Sequence, residues 1–290
     1  MKFGATFSNK YCFELGLEPL AALEEILKML PLQTVRLCAY WDEIEQKEGN
    51  FDFSLLDGQI KLIGKKTDLV IALGRKVPRW PEFHEPVWAL SKDKEFLISA
   101  LQNYIKKTVE KYKSLENLKM WQVENEPFVK FGQSQHPFSE KDLELEVALV
   151  RELDDRPVLI SDSGELSDWK KAAKYADVVG INMYTVVYDA LLKKYHYHNY
   201  SPGFYSYKAA KVNKPVLVAE LQAEPWGPAP AVSLMDYEVQ KSMSPQRLAA
   251  NIRLAKDSGF KEVWLWGLEW IYLQKKKGDS SFLDIIREAM

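Results

Sequence analysis

Short apolar or β-branched runs recur along the chain, and each is followed by a turn and a stretch with helical spacing of its apolar residues. The predicted strands are residues 2–8, 34–40, 68–74, 119–125, 157–163, 177–184, 215–221 and 262–268. Predicted helices include 18–30, 94–112 and 244–259, the last with Ser244 as N-cap, Pro245 in its first turn and Gly259 as terminator. Eight strands alternating with helices are typical of a (β/α)8 barrel.

We therefore predict an α/β protein with a single (β/α)8 TIM barrel that spans residues 1–290. A doubly wound open sheet is the alternative, but no G-x-G-x-x-G follows the first predicted strand. No repeat, low-complexity stretch or Pro/Ser-rich linker interrupts the chain, so the sequence indicates no domain boundary.

Side chains on a strand alternate between two faces, and in a barrel one face packs against helices while the other fills the interior. This alternation places inward Arg36, Cys38 and Tyr40 (strand two), Gln122, Glu124 and Glu126 (strand four), Gly180, Asn182 and Tyr184 (strand six), and Trp264 and Trp266 (strand eight). On strand seven it places Leu217 and Ala219 outward and Glu220 inward. Trp121 faces outward and is predicted to be core.

Polar residues cluster at the ends of the predicted strands. The segment W-Q-V-E-N-E-P-F closes strand four, and V-A-E-L closes strand seven. Barrel enzymes build their sites at the carboxyl ends of the strands, so we expect Arg36, Glu126, Tyr184, Glu220 and Trp266 to converge on one mouth. A pair of carboxyl groups on opposite sides of a ligand is what glycoside hydrolysis requires. Arg36 would keep the neighbouring carboxylate ionised, and Tyr184 could donate a hydrogen bond to it.

The sequence resembles clan A glycoside hydrolases, a superfamily of (β/α)8 barrels that includes cellulases, β-mannanases, β-glucosidases and β-galactosidases. The resemblance covers the whole barrel. It is carried by Asn125 and Glu126 after strand four, Glu220 in V-A-E-L, Arg36 in V-R-L, Tyr184 in I-N-M-Y, Trp266 in W-L-W-G, and residues 40–57, which resemble the W-x-x-I-E-x-x-x-G-x-F-D-F-x-x-L-D run of these enzymes.

The resemblance implies a retaining enzyme that cleaves β-glycosidic bonds of gluco- or manno-configured oligo- or polysaccharides by double displacement. Glu220 is then the nucleophile and Glu126 the acid/base, with carboxyl groups about 5 to 5.5 Å apart. Asn125 would bind the sugar 2-hydroxyl, and Trp266 would form the floor beneath the sugar. Glu224, four residues after Glu220, is the alternative nucleophile.

Aromatic residues after other strands are candidates for sugar contacts, because flat apolar faces stack on aromatic rings. Trp41, Trp80, Trp226 and Trp270 are predicted subsite walls, and His84 is a further candidate for lining a subsite. No cofactor or metal is expected. The H-x-H pair of His196 and His198 is predicted to lie on a surface helix or loop rather than to bind a metal.

The 39 basic residues nearly balance 41 acidic ones, which argues against a nucleic-acid or anionic-membrane partner and leaves a carbohydrate substrate. Two cysteines and no leader-like or membrane-spanning apolar segment favour a cytoplasmic protein, or a secreted one if a leader precedes it. We expect a monomer.

The alternatives to a glycoside hydrolase are a transglycosylase with the same residues, a catalytically silent carbohydrate-binding barrel, and a phosphate-handling barrel. The acidic and aromatic loops after strands seven and eight disfavour the last of these.

Overall fold

Eight parallel strands close into a barrel in the computed structural model, which describes residues 1–290. The chain forms ten strands: β1 Lys2–Phe7, β2 Thr34–Cys38, β3 Asp68–Leu73, β4 Leu118–Val123, β5 Val158–Ser163, β6 Val178–Met183, β7 Val186–Asp189, β8 Lys194–Tyr197, β9 Val216–Gln222 and β10 Glu262–Trp266. All except β7 and β8 belong to the barrel, in the order β1-β10-β9-β6-β5-β4-β3-β2. The predicted TIM barrel is confirmed, with β9 and β10 as its seventh and eighth strands.

Helices connect the strands and cover the outside of the barrel. They are α1 Asn9–Glu14, α2 Pro19–Met29, α3 Trp41–Ile44, α4 Ser54–Ile63, α5 Val87–Leu90, α6 Lys94–Tyr112, α7 Glu140–Leu153, α8 Lys170–Tyr175, α9 Pro202–Lys211, α10 Asp236–Ser242, α11 Pro245–Asp257, α12 Leu268–Lys276 and α13 Ser281–Ala289. The Oγ atom of Ser244 accepts a 3.2 Å hydrogen bond from the Arg247 N–H, which confirms the predicted N-cap of α11. None of the helices combines the length and the apolar character needed to cross a membrane.

The barrel has an apolar layer inside and a larger apolar shell outside. The inner cluster is Val70, Leu159, Leu217, Ala219 and Trp264. The outward residues of β2 and β4, such as Val35, Leu37, Trp121 and Val123, belong to the main core between strands and helices. The alternation predicted for these two strands is therefore confirmed within the strands themselves.

Two connections that the sequence pattern did not predict lie at the carboxyl ends of the strands. Strands β7 and β8 form an antiparallel hairpin directly after β6, with Val186 opposite Tyr197. The loop after β3 folds back on itself, because the Val77 N–H donates to the Glu82 carbonyl and the His84 N–H to the Arg75 carbonyl. We call residues 75–84 the β3 loop.

Candidate active site

An irregularity in β9 turns Glu220 into the barrel. Ile181 pairs with Val218, but the next residue of β6, Asn182, pairs with Glu220, so β9 contains one extra residue at this point. The predicted orientation of Leu217 and Ala219 is wrong, because both pack in the inner cluster. Strict alternation would then turn the following side chain outward, and the bulge restores an inward direction for Glu220.

Both oxygens of Glu220 are held by side chains from other strands. Arg36 Nη2 donates to Oε1 at 2.8 Å, and the Tyr184 hydroxyl donates to Oε2 at 2.7 Å. Burial, followed by the negative charge of Glu220, raises the pKa of Tyr184 well above its ordinary value, so the phenol remains a donor. This carboxylate is fixed in place and has a cationic partner.

Arg36 is itself fixed by a buried polar network. Its Nε donates to Thr6 Oγ1 at 2.9 Å, and its Nη1 donates to Gln122 Oε1 at 2.6 Å. The Gln122 amide continues toward Asn125, whose Oδ1 lies 3.3 Å from Gln122 Nε2. Arg36, Gln122 and Asn125 therefore belong to one connected network that includes Glu220, which satisfies groups that would be costly to bury alone.

Glu126 lies just beyond the end of β4, with its backbone held on two sides. Its N–H donates to Ser161 Oγ at 2.9 Å, and its carbonyl accepts a 2.9 Å bond from Lys76 Nζ. Its φ of 43° is in the left-handed region that non-glycine residues seldom adopt, which indicates that these contacts fix the backbone.

The carboxyl group of Glu126 contrasts with that of Glu220. Neither of its oxygens has a hydrogen-bond partner within the protein. Both are partly accessible, so they open onto the mouth. Burial, and then the negative charge of Glu220, raise the pKa of Glu126 well above the ordinary range. The site therefore combines a carboxyl group whose two oxygens are held by Arg36 and Tyr184 with a second carboxyl group that has free oxygens and a raised pKa.

Asn125 is anchored beside Glu126. Its Oδ1 accepts a 2.7 Å bond from Ser161 Oγ, and its Nδ2 donates to Glu82 Oε2 at 3.0 Å. One Nδ2 hydrogen is left over, because an amide nitrogen carries two donors.

The β3 loop supplies charged side chains that the sequence interpretation missed. Besides Lys76 and Glu82, it carries Arg79, which pairs with Glu224 at 2.9 Å. The guanidinium of Arg79 also lies between two rings, 3.5 Å from the centroid of Tyr11 and 4.4 Å from that of Trp266. The available signal was R-K-V-P-R-W-P-E directly after a strand, a charged run at the end of the barrel where sites form.

These contacts also separate the two candidate nucleophiles. Glu224 is engaged by Arg79, whereas Glu220 is the carboxylate that Arg36 and Tyr184 hold. Trp266 is almost fully buried beneath Arg79, so its ring is a floor for the guanidinium in this structure.

The inward orientation predicted for Glu124 is wrong. Its carboxylate accepts hydrogen bonds from the backbone N–H groups of Arg75 and Lys76, the latter at 2.7 Å. Burial, and then the negative charge of Glu124, raise the pKa of Glu146 on α7. A φ of 60° at Glu124 rotates the side chain out of the strand alternation. Glu124 therefore supports the start of the β3 loop.

The aromatic candidates divide by exposure. Trp80 and Trp226 are 57% and 43% exposed, and the Trp226 ring lies edge-on to Tyr184 with centroids 5.3 Å apart. Trp41 and Trp270 are buried in the core, where Trp41 stacks on Tyr104, so a sugar cannot reach them and their prediction as subsite walls is wrong.

His84 is also enclosed, with 1% of its surface exposed. Its Nε2 lies 2.9 Å from the Arg79 carbonyl oxygen, and its ring lies edge-on to Tyr40. His84 therefore stabilises the β3 loop, of which it is the last residue. Direct contact between His84 and a substrate is excluded in this conformation. His196 lies in β8, and His198 follows it with Nδ1 2.9 Å from the Tyr184 carbonyl oxygen, so the predicted helix or loop is a hairpin at this point.

Comparison with solved structures shows that several glycoside hydrolases have the same barrel fold as this chain. A GH5_18 protein from Streptomyces cattleya in complex with GlcNAc matches with a TM-score of 0.60 and 14% identity over 91% of this chain and 70% of its own. An endo-β-1,4-xylanase of family GH10 from Gloeophyllum trabeum matches with a TM-score of 0.58 and 17% identity over 91% and 83%.

A β-galactosidase from Halorubrum lacusprofundi matches with a TM-score of 0.58 and 16% identity, covering 92% of this chain. This chain spans only 52% of that β-galactosidase. No protein-family model matches the sequence, and no curated protein matches it. At these identities the comparisons establish the fold alone.

Proposed function

We propose that this chain is a retaining glycoside hydrolase that cleaves β-glycosidic bonds in gluco- or manno-configured oligo- or polysaccharides. Glu220 is the nucleophile and Glu126 the acid/base. The observation that carries the proposal is the contrast between the two carboxyl groups. Arg36 and Tyr184 hold both oxygens of Glu220, whereas Glu126 has free oxygens and a raised pKa.

In the first step, an oxygen of Glu220 attacks the anomeric carbon while the protonated Glu126 donates its proton to the glycosidic oxygen. The bond between the anomeric carbon and the leaving oxygen breaks, and an ester to Glu220 forms. In the second step, Glu126 removes a proton from water, whose oxygen attacks the same carbon. The ester then breaks, and Glu220 is released as a carboxylate.

The change in charge at Glu220 explains how one residue serves as acid and then as base. The negative charge of Glu220 is one cause of the raised pKa of Glu126. Esterification removes that charge, so the pKa of Glu126 falls when the intermediate forms. Glu126 can then accept the proton of the attacking water.

Residues around the two carboxyl groups provide the sugar contacts. The remaining Nδ2 hydrogen of Asn125 can bind a sugar hydroxyl next to Glu126. The exposed rings of Trp80 and Trp226 can stack against further sugar units. The S. cattleya protein has been solved with GlcNAc and, as a variant, with Manβ1-4GlcNAc. These complexes support a carbohydrate ligand for the present chain, which has the same barrel fold.

The proposal is tested with a panel of aryl β-glycosides and with β-glucan, mannan and xylan. We expect turnover of at least one substrate, with the β-anomer as the first product in an NMR time course. A 2-deoxy-2-fluoro glycoside of the preferred sugar should label Glu220, as found by peptide mass mapping. Labelling of Glu224 would overturn the assignment of the nucleophile, and an α-anomeric first product would overturn the retaining mechanism.

A further inference from the structure

A third carboxyl group, that of Glu82, lies in the mouth next to Glu126 and Glu220. Its Oε2 accepts the 3.0 Å hydrogen bond from Asn125 Nδ2. Its Oε1 has no hydrogen-bond partner within the protein and is partly accessible. One oxygen of Glu82 is therefore fixed by the protein, and the other is unpartnered and accessible, close enough to Glu126 that the negative charge of Glu82 contributes to the raised pKa of Glu126.

The cations around Glu82 are already engaged elsewhere. Lys76 Nζ donates to the carbonyls of Glu126 and Val129, and Arg79 pairs with Glu224. Glu82 itself takes part in no salt bridge, although only 8% of its surface is exposed. A buried carboxyl group without an ionic partner is costly, and a hydrogen-bond donor on a ligand would reduce that cost.

Two further features mark Glu82 as a specialised position. Its φ is 74°, a conformation that is unfavourable for a residue with a side chain and that recurs at functional sites. Burial raises its pKa to about 7, opposed by the nearby Lys76 ammonium. The group can therefore change its charge near neutral pH, close to Glu126.

We propose that Glu82 is a specificity-determining residue whose free Oε1 accepts a hydrogen bond from a hydroxyl or amino group of the sugar bound between Glu126 and Glu220. This inference rests on the proposed function. It assigns to the β3 loop a direct part in selecting the sugar, in addition to its support of Glu126. The simpler alternative is that Glu82 only holds Asn125 in place.

The substitution Glu82→Gln separates these two roles. The Asn125 amide group is a donor toward Glu82, so the glutamine must turn its oxygen to Asn125 and its NH2 group to the mouth. The hydrogen bond to Asn125 is retained, whereas the acceptor that faces the substrate becomes a donor. Glu82→Ala removes both interactions.

The experiment compares wild type and Glu82→Gln on the preferred 4-nitrophenyl β-glycoside and on its 2-, 3-, 4- and 6-deoxy analogues. In the wild type, we expect removal of one hydroxyl to lower kcat/KM by roughly 10- to 100-fold. In Glu82→Gln, the same removal should cost several-fold less than in the wild type, because a neutral NH2 group that can only donate to the hydroxyl oxygen replaces the carboxyl acceptor. Replacing that hydroxyl with an amino group in the wild-type substrate distinguishes the two donor types.

Glu45→Gln is the matched control. Glu45 is also buried, but it accepts bonds from Trp41 Nε1 and the Gly49 N–H, and it contacts no residue of the mouth. We expect this variant to retain the wild-type response to every deoxy analogue. An equal response of wild type and Glu82→Gln at all positions would overturn the proposal, and loss of activity only in Glu82→Ala would assign Glu82 the supporting role.

Failure of the proposed function is distinguishable from failure of this inference. If wild type turns over no glycoside, calorimetric titration with methyl β-glycosides replaces kinetics. Weaker binding by Glu82→Gln than by wild type would support the contact. Equal dissociation constants, or no binding by wild type, would overturn it.

Discussion

Arg36 and Glu220 form an ion pair inside the barrel, with Nη2 2.8 Å from Oε1 and only 0% and 4% of the two side chains exposed. The pair joins the second strand of the barrel to its seventh. A buried pair contributes little net stability, because desolvation offsets the attraction, but loss of one partner leaves an uncompensated charge. Here the pair fixes the orientation of the Glu220 carboxyl group and places a positive charge beside it.

We predict that Arg36→Lys lowers kcat/KM by at least about 100-fold while the protein still folds, because lysine retains the charge but not the three-way fork. Arg36→Ala should lose more activity and about 3 to 5 kcal/mol of unfolding free energy. The measurements are pH profiles of kcat/KM and urea unfolding. An unchanged pH profile in Arg36→Ala would contradict the role given to this residue.

Replacement of Glu126 should affect substrates according to their leaving groups. We expect Glu126→Ala to lose about 100-fold or more in kcat/KM for a poor leaving group, since protonation of the leaving oxygen is lost. Activated 2,4-dinitrophenyl glycosides should still form the intermediate, and azide should accelerate turnover by attacking it. Detection of a β-glycosyl azide would identify the acid/base residue, whereas wild-type rates on both substrate types would remove Glu126 from that role.

Glu269 should make the stability of the protein depend on pH. It is buried, with Oε1 bound by the Ser8 N–H and Oε2 unpartnered, and burial raises its pKa from 4.5 to about 7. Between these values the folded protein retains a proton that the unfolded chain releases, so its contribution to stability is lost as the pH rises.

Relative to wild type, Glu269→Gln should therefore gain roughly 3 kcal/mol between about pH 4 and about pH 8, measured by urea unfolding at each pH. Glu110→Gln, on the exposed face of α6, is the control and should show no such trend. A constant difference between Glu269→Gln and wild type would show that Glu269 ionises normally in the folded state.

Gly74 allows the close approach of Glu124 to the β3 loop. Its φ is 125°, and an added Cβ would overlap the Glu124 carboxyl group. We predict that Gly74→Ala destabilises the protein by more than about 2 kcal/mol and lowers kcat, because the carboxylate that holds the Arg75 and Lys76 N–H groups must move.

Gly259→Ala is the matched control, since Gly259 also has a positive φ of 86° but no atom within 4 Å of an added Cβ. It should cost only the backbone strain of about 1 to 2 kcal/mol, with kcat unchanged. Equal losses of stability and activity in the two variants would show that backbone strain alone, and not displacement of Glu124, explains the effect.

The periodicity of the sequence determined the barrel and most of its interior. Strand and helix patterns are local, so the eight barrel strands and the cap of α11 at Ser244 were predictable. The positions of Arg36 and Tyr184 followed from alternation and from the convergence of parallel strand ends, and both lie against Glu220.

Only the tertiary structure decided how individual side chains are used. The bulge that turns Glu220 inward depends on the register with β6, and alternation within one strand cannot reveal it. Trp41 and Trp80 both follow strands, yet one is buried and the other exposed, because the path of each loop sets its environment. Glu82 reaches Asn125 because the β3 loop folds back over the mouth, a contact between residues 43 positions apart that no local pattern encodes.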